Sequence, residues 1–148
     1  MSVYDSALVD SDDYVNQIGT LNGNPVACAA GLATLAELRK EGTYERLRGT
    51  GNRLREGLVE ICSENGFTVQ SCGEAAIFDI YFSDTPVYNY RDGLAADGGL
   101  MSRLNHGMLE RGILKGWPQK YYPSLAHTEE DVQRTLDAAS EVVPTLVK

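Results

Sequence analysis

The chain has 148 residues, of which 43% are apolar and 23% charged, a composition typical of a soluble globular protein, and its length predicts one domain. Thirteen basic and twenty-one acidic side chains give a formal net charge of −8, which argues against a broad surface for nucleic acid. The apolar stretches are too short for a membrane span, and the acidic first residues do not resemble a signal peptide. We therefore expect a cytoplasmic protein that binds neither nucleic acid nor membranes.

Cysteine and histidine are too sparse to predict a metal site or a disulfide framework. Cys28, Cys62 and Cys72 are an odd number without C-x-x-C spacing, and His106 and His127 lie in separate segments. We expect no structural disulfide and no metal site. Cys28 lies near a predicted helix start, but the Ala-rich sequence after it predicts a buried and unreactive thiol.

The first part of the chain predicts an arm followed by a helix. Residues 1–19 are polar and acidic without a sustained period, which indicates an arm or loop before a domain that spans residues 20–148. Asn24 and Pro25 are typical of a helix start, because Asn accepts hydrogen bonds from the first amides and Pro needs no donor there. The helix is predicted to continue to about Lys40, with the smallest residues first on its apolar stripe.

Three further helices are predicted from apolar residues at spacings of three and four. Two of them span about residues 44–65 and 98–111, and the last begins at a Thr-x-x-Asp capping box at residues 128–131. Gly49 and Gly51 are costly inside a helix, which predicts that the first of these three bends or begins later.

A small sheet is predicted between these helices. Its strands span residues 67–70 and 76–82, a long surface loop follows at residues 83–97, and a short strand lies at residues 113–114. Asp79, inside the second strand, requires a partner or an edge position. Helices gathered around a small, mainly antiparallel sheet define an α+β domain.

The turn GTLNGNP, at residues 19–25, has the most specific local chemistry. Its backbone amides, the Thr20 hydroxyl and the positive end of the following helix dipole suit an anionic phosphate. The pattern matches neither the P-loop nor the dinucleotide motif. From physical chemistry alone, a simple capping loop is therefore the favoured interpretation.

The same turn carries a family resemblance. The run QIGTLNGNPVA at residues 17–27, continued by CAAGLATL, resembles the segment G-T-x-x-G-N-P-x-x-x-A-A-G of class III aminotransferases, and most closely glutamate-1-semialdehyde aminomutases. The likeness continues in YERL, SDTPV, MLERG and SLAHTEED. It covers about residues 14–143 and corresponds to the C-terminal third of the family.

The resemblance implies the small C-terminal domain of a fold type I enzyme that uses pyridoxal phosphate (PLP) and works as a homodimer. In the family, the Thr of the G-T pair contacts the phosphate of the cofactor held by the neighbouring subunit, which gives Gly19 and Thr20 a cofactor-binding role here. The domain that carries the Schiff-base lysine and the acidic partner of the pyridinium nitrogen is absent. We expect no catalytic residue in this chain, and neither PLP binding nor activity from this chain alone.

Other candidate residues are interpreted as structural. Asp79 and His127 could act in catalysis, but a hydrogen-bonded Asp in a strand is the commoner case, and the resemblance places His127 in a structural turn. Trp117, Tyr121 and Tyr122 could line a pocket or cover the end of the sheet. The lysines do not match the lysine motif of the family and are all predicted to lie on the solvated surface: Lys40, Lys115, Lys120 and Lys148.

The leading functional hypothesis is the C-terminal domain of an aminotransferase of the aminomutase type, which exchanges amino and carbonyl groups on adjacent carbons of a small acid. The alternative is a non-catalytic dimerisation or interaction module, and the chain could also be a fragment. A separately encoded N-terminal domain that binds PLP is a possible partner. Without the large domain, the small-residue face of the helix at residues 25–40 is uncovered, which predicts a homo-oligomer.

Overall fold

The structure is a computed structural model that describes residues 19, 21–115 and 120–146. The chain divides into two compact units, Met1–Leu38 and Arg39–Lys148. Apart from Gly19, the arm predicted at residues 1–19 lies outside the described residues, so that prediction stays untested. The helices are α1 (Pro25–Leu38), α2 (Thr43–Glu64), α3 (Tyr90–Ala95), α4 (Gly98–Glu110) and α5 (Glu129–Val142), and the strands are β1 (Val69–Glu74) and β2 (Ile77–Phe82).

Helix α1, which lies in the first unit, begins where the sequence predicts. The Asn24 side-chain oxygen accepts hydrogen bonds from the amides of Val26 at 2.9 Å and Ala27 at 3.2 Å, as expected of an N-cap. The helix ends at Leu38, two residues before the predicted end at Lys40. In this fully described helix no residue is buried, so the prediction that Cys28 is buried is wrong and its thiol is exposed.

Helix α2 is continuous from Thr43 to Glu64, so the predicted late start is wrong. Gly51 is buried where the helix meets the hairpin, and a Cβ atom at this position would clash with the carbonyl oxygen of Ala75. Glycine is therefore required there by the close approach of two backbones. A Cβ atom added at Gly49, by contrast, would have no neighbouring atom within 4 Å.

Strands β1 and β2 form an antiparallel hairpin that pairs Val69 with Phe82 at one end and Glu74 with Ile77 at the other. The first strand therefore begins later and continues further than predicted, because its bounds follow the pairing with β2. The strand predicted at residues 113–114 is not formed. Instead, the backbone of Tyr121 bridges Phe78, with N–O distances of 3.2 and 2.8 Å.

The loop predicted at residues 83–97 contains the short helix α3. Asn89 caps this helix, and the Asp92 carboxylate accepts a hydrogen bond from the Asn89 amide, which completes a capping box. Asp97 caps α4 by accepting a hydrogen bond from the amide of Leu100 at 2.9 Å. Asn89 and Asp97 are of residue types that are common in turns, but here they begin helices. The sequence of this segment therefore predicted a loop.

The second unit buries one core between α2, α4, α5 and the hairpin. The predicted capping box of Thr128 and Asp131 is present at the start of α5, and the helix passes into a 3₁₀ turn, Val143–Thr145, at Pro144. Within the described residues, no helix combines the length and apolar character that a membrane crossing requires. The most deeply buried side chains are Leu58, Cys62, Phe78, Ile80, Leu104, Met108, Val142 and Val143.

Candidate functional site

The predicted phosphate-binding turn is compact around Gly19. The Gly19 carbonyl accepts a hydrogen bond from the Asn22 amide at 3.1 Å, and Gly23 has a φ of 76°, a left-handed conformation that favours glycine. A Cβ atom on Gly19 would lie 2.5 Å from the Asn22 side-chain oxygen. The exposed side chain of Asn22 therefore lies next to Gly19.

The first turn of α1 offers fewer free amides than the sequence indicates. Asn24 accepts hydrogen bonds from Val26 and Ala27 through its side chain and from Cys28 through its backbone carbonyl. These amides are therefore already satisfied within the chain, so an anion at this turn would depend on groups before the helix. Thr20 lies outside the described residues, and its role as a phosphate ligand stays a prediction.

A second cluster lies inside the second unit, around Asp79 on β2. The Lys115 ammonium lies 2.5 Å from the Asp79 carboxylate, and the two side chains are only 5% and 12% exposed. The same carboxylate oxygen accepts a hydrogen bond from the amide of Ile80 at 2.9 Å. The partner predicted for Asp79 is confirmed, whereas the prediction that Lys115 lies on the surface is wrong, because the pair is buried together.

Aromatic residues enclose this ion pair. The ring of Tyr121 stacks on Phe78 with a centroid distance of 5.0 Å, and the Lys115 nitrogen lies 4.6 Å from the centre of the Tyr121 ring. Burial and the nearby carboxylate of Asp79 raise the pKa of Tyr121 above its usual range. Tyr121 thus covers the sheet, Tyr122 is exposed, and Trp117 lies outside the described residues.

His127 occupies a structural turn, as the resemblance implies. Its Nδ1 accepts a hydrogen bond from the Ser124 amide at 3.0 Å and lies 3.0 Å from the Ser124 hydroxyl. Arg46 of α2 donates to the carbonyl of Leu125 at 2.6 Å and holds the same turn. Because the Nδ1 atom is occupied by an amide, Ser124 and His127 do not have the geometry of a nucleophile and its base.

Other reactive groups do not form a catalytic centre in the part of the chain that the structure describes. Burial raises the pKa of the Cys62 thiol to about 11, which favours the unreactive thiol form. Among the described residues, no three His, Cys, Asp or Glu side chains come together as a metal site requires. Lys40 and Lys120 are exposed, and the amine of Lys115 is enclosed with Asp79. The residues described here therefore do not fit the role of holding PLP as a Schiff base.

Comparison with solved structures assigns the fold. The chain matches the β-phenylalanine aminotransferase of Variovorax paradoxus with a TM-score of 0.71, at 28% identity over 95% of this chain and 33% of that chain. It matches the FumI protein of Sphingopyxis sp. MTA144, solved in its PLP internal aldimine form, with a TM-score of 0.70 at 26% identity over 88% of this chain and 29% of that chain. The protein thus has the fold of the α+β C-terminal domain of PLP-dependent transaminases.

Comparison of sequences gives a more specific relationship. The chain is 42% identical over 135 residues to the glutamate-1-semialdehyde 2,1-aminomutase of Desulfitobacterium hafniense (strain Y51), covering 89% of this chain and 31% of the relative. No protein-family model matches the chain. The predicted resemblance is confirmed: the chain is homologous to the C-terminal part of glutamate-1-semialdehyde aminomutases, and it spans about a third of the length of the curated relatives it matches.

Proposed function

We propose that this chain acts as the C-terminal domain of a class III aminotransferase of the glutamate-1-semialdehyde aminomutase type. The observation that carries the proposal is the extent of the similarity, since 89% of the chain aligns with 31% of the aminomutase at 42% identity. In the complete enzyme the domain takes part in exchanging amino and carbonyl groups on adjacent carbons of a small acid. PLP supplies the electron sink for such chemistry when it is bound.

The contribution of this chain to the cofactor site is the turn at Gly19 and Thr20. Gly19 is exposed and lies in a tight turn in which its carbonyl accepts a hydrogen bond from the Asn22 amide, and the lack of a side chain at Gly19 supports a close approach of the backbone to a phosphate. Asn24 satisfies the first amides of α1, so the Thr20 hydroxyl becomes the main donor in the proposed contact. The phosphate belongs to PLP held by a neighbouring subunit.

The proposed domain is inactive without a chain that supplies a Schiff-base lysine. The ammonium of Lys115, the one deeply buried lysine among the described residues, is already paired with Asp79. A lysine-bearing N-terminal domain, encoded in the same or a separate chain, is therefore the proposed partner. PLP binding by this chain alone is not expected.

The exposed helix α1 supports a proposed oligomer. Val26, Leu32 and Leu35 are 78%, 69% and 49% exposed, and these side chains lie on a helix that is rich in alanine and other small residues. Apolar surface of this kind is typical of a subunit interface. We expect Leu32→Glu to weaken self-association in sedimentation velocity, whereas Leu109→Glu on α4, also exposed, leaves it unchanged.

The enzyme hypothesis is tested by co-expression with the N-terminal part of the Desulfitobacterium aminomutase that precedes the matched region. We expect the two chains together to bind PLP and regain aminomutase activity. Thr20→Val should weaken PLP retention by about tenfold, the typical effect of losing a hydrogen bond to a charged group. Thr34→Val is the matched control, because the Thr34 hydroxyl bonds the Ala30 carbonyl within α1. Association of the two folded chains without turnover would favour the interaction module.

A further inference from the structure

The chain contains two Asn-Gly pairs, Asn22–Gly23 before α1 and Asn65–Gly66 directly after α2. This dipeptide is chemically labile, because the glycine nitrogen has no side chain beside it and can attack the side-chain carbonyl carbon of the preceding asparagine. All four residues are exposed, so exposure to water does not distinguish the two pairs. The hydrogen bonds of the two pairs do distinguish them.

At the first pair, the two groups that must react are unoccupied. The Asn22 backbone amide donates to the Gly19 carbonyl, but neither the Asn22 side chain nor the Gly23 amide makes a hydrogen bond within the residues that the structure describes. Gly23 has a φ of 76°, and apart from its chain neighbours no atom lies within 4 Å of a Cβ atom added to it. The Gly23 nitrogen is therefore open to the approach of the Asn22 side chain.

At the second pair, the same groups are held by the end of a helix. The Gly66 amide donates to the Ser63 carbonyl at 3.0 Å, and the Asn65 side-chain amide donates to the Ile61 carbonyl at 2.8 Å. Ring closure at Asn65 requires both hydrogen bonds to break, and each of them raises the activation barrier. The fold therefore protects one Asn-Gly pair and leaves the other reactive.

We propose that Asn22 is a site of spontaneous deamidation, which converts it to aspartate or isoaspartate and places a carboxylate in the turn before α1. The Gly23 nitrogen forms a bond to Cγ of Asn22 and loses its proton to water, while the side-chain nitrogen takes up a proton and leaves as ammonia. Water then opens the cyclic imide at either of its carbonyl carbons. Each product carries one carboxylate in place of the amide, and the reaction consumes only water.

The consequence of this modification for a cofactor site rests on the proposed function. The turn at Gly19 and Thr20 is proposed to contact the phosphate of PLP, and the Asn22 side chain lies next to Gly19 in the same turn. A carboxylate at this position repels a phosphate. Deamidation of Asn22 therefore weakens the proposed contact as the protein ages.

The test is incubation of the full folded chain in mildly alkaline buffer, followed by peptide mass spectrometry with fragmentation to locate each converted asparagine. We expect conversion at Asn22 to be about tenfold faster than at Asn65, because only Asn65 must first lose hydrogen bonds. Incubation in concentrated urea is the matched control, since it removes those bonds and should bring the two rates together. The proposal is overturned if Asn22 stays intact in the folded chain, or if Asn65 converts as fast as Asn22 there.

The effect on the cofactor contact is measured separately, on the chain co-expressed with the N-terminal part of the Desulfitobacterium aminomutase. Asn22→Asp reproduces the added charge and should weaken PLP retention by about tenfold. Asn65→Asp is the matched control at the other pair and should leave retention unchanged. Equal retention by wild type and Asn22→Asp would show that the modification does not affect the contact. Failure of the wild-type pair to retain PLP would count against the proposed function, while the rates at Asn22 and Asn65 would still decide the deamidation.

Discussion

Helices α1 and α5 have the same length of 14 residues and both begin with a side-chain cap, yet α1 has no buried residue and α5 has four. In α5, charged residues separate the buried positions, so one face packs on the core. In α1, apolar and small residues lie on all sides, a pattern typical of a helix that is buried all round. A side-chain cap therefore starts both helices. The distribution of apolar residues along each helix determines how much of its surface must be covered by other residues. The core of the described residues is formed within the second unit. The exposed apolar surface of α1 supports the proposal that another chain covers this helix.

The largest expected effect is on the free energy of unfolding of the second unit, which contains a buried ion pair. Lys115→Met leaves the buried carboxylate of Asp79 without its cation, and we expect the free energy of unfolding to fall by about 3–5 kcal/mol. Urea denaturation followed by circular dichroism measures it. The double variant Asp79→Asn with Lys115→Met removes both charges and should recover most of the loss. An unchanged midpoint for Lys115→Met would show that the ion pair does not stabilise the unit.

The next effect compares glycines at crowded and open positions. At Gly51, an added methyl group would clash with the Ala75 carbonyl, so Gly51→Ala should destabilise the second unit by about 1–3 kcal/mol. Gly49→Ala, two residues earlier in the same helix, enters open space and should stabilise it by about 0.5–1 kcal/mol. Gly31→Ala in α1 is also unobstructed and should raise helix content without destabilising the core. Equal effects at Gly49 and Gly51 in urea titrations would contradict the close contact.

A smaller effect compares the caps of the two 14-residue helices directly. Thr128→Ala removes the hydroxyl that accepts from the Asp131 amide, and we expect a loss of about 1 kcal/mol in the free energy of unfolding. Asn24→Ala removes the equivalent cap of α1, where no residue is buried, and should reduce helix content without moving the urea midpoint of the second unit. If both variants shift that midpoint equally, the contrast between the helices is wrong.

The smallest effect is a pH dependence at the α5 cap. The amide and hydroxyl of Thr128 donate to the Asp131 carboxylate and lower its pKa below the ordinary value. A carboxyl with a lowered folded-state pKa stabilises fully above its unfolded pKa, near pH 4, and loses that contribution as the pH falls through the folded-state pKa. The advantage of wild type over Asp131→Asn should therefore be full at about pH 6 and should shrink as urea titrations are carried out at progressively lower pH below about 4. A constant difference between the two proteins would argue against this linkage.

Local chemistry explains which elements were predicted well. The starts of α1 and α5 depend on Asn24 and Thr128, whose side chains bond amides two or three residues away. Helix α3 was missed although it uses the same device, because its Asn89 and Asp92 lie in a Pro- and Gly-containing segment typical of loops. For the candidate site, the sequence indicated Gly19 and Thr20 through a motif, and the structure adds the position of the exposed Asn22 side chain next to Gly19.

The sequence by itself determined the starts of α1, α4 and α5, the α+β class and the relationship to the aminomutases, because caps, periodicity and a long motif are all encoded by neighbouring residues. Only the tertiary structure decided that Lys115 is buried against Asp79 and that Gly51 meets Ala75. These features join residues that are tens of positions apart in the chain. Their energies depend on burial and on which partners meet, and both exist only after the chain has packed.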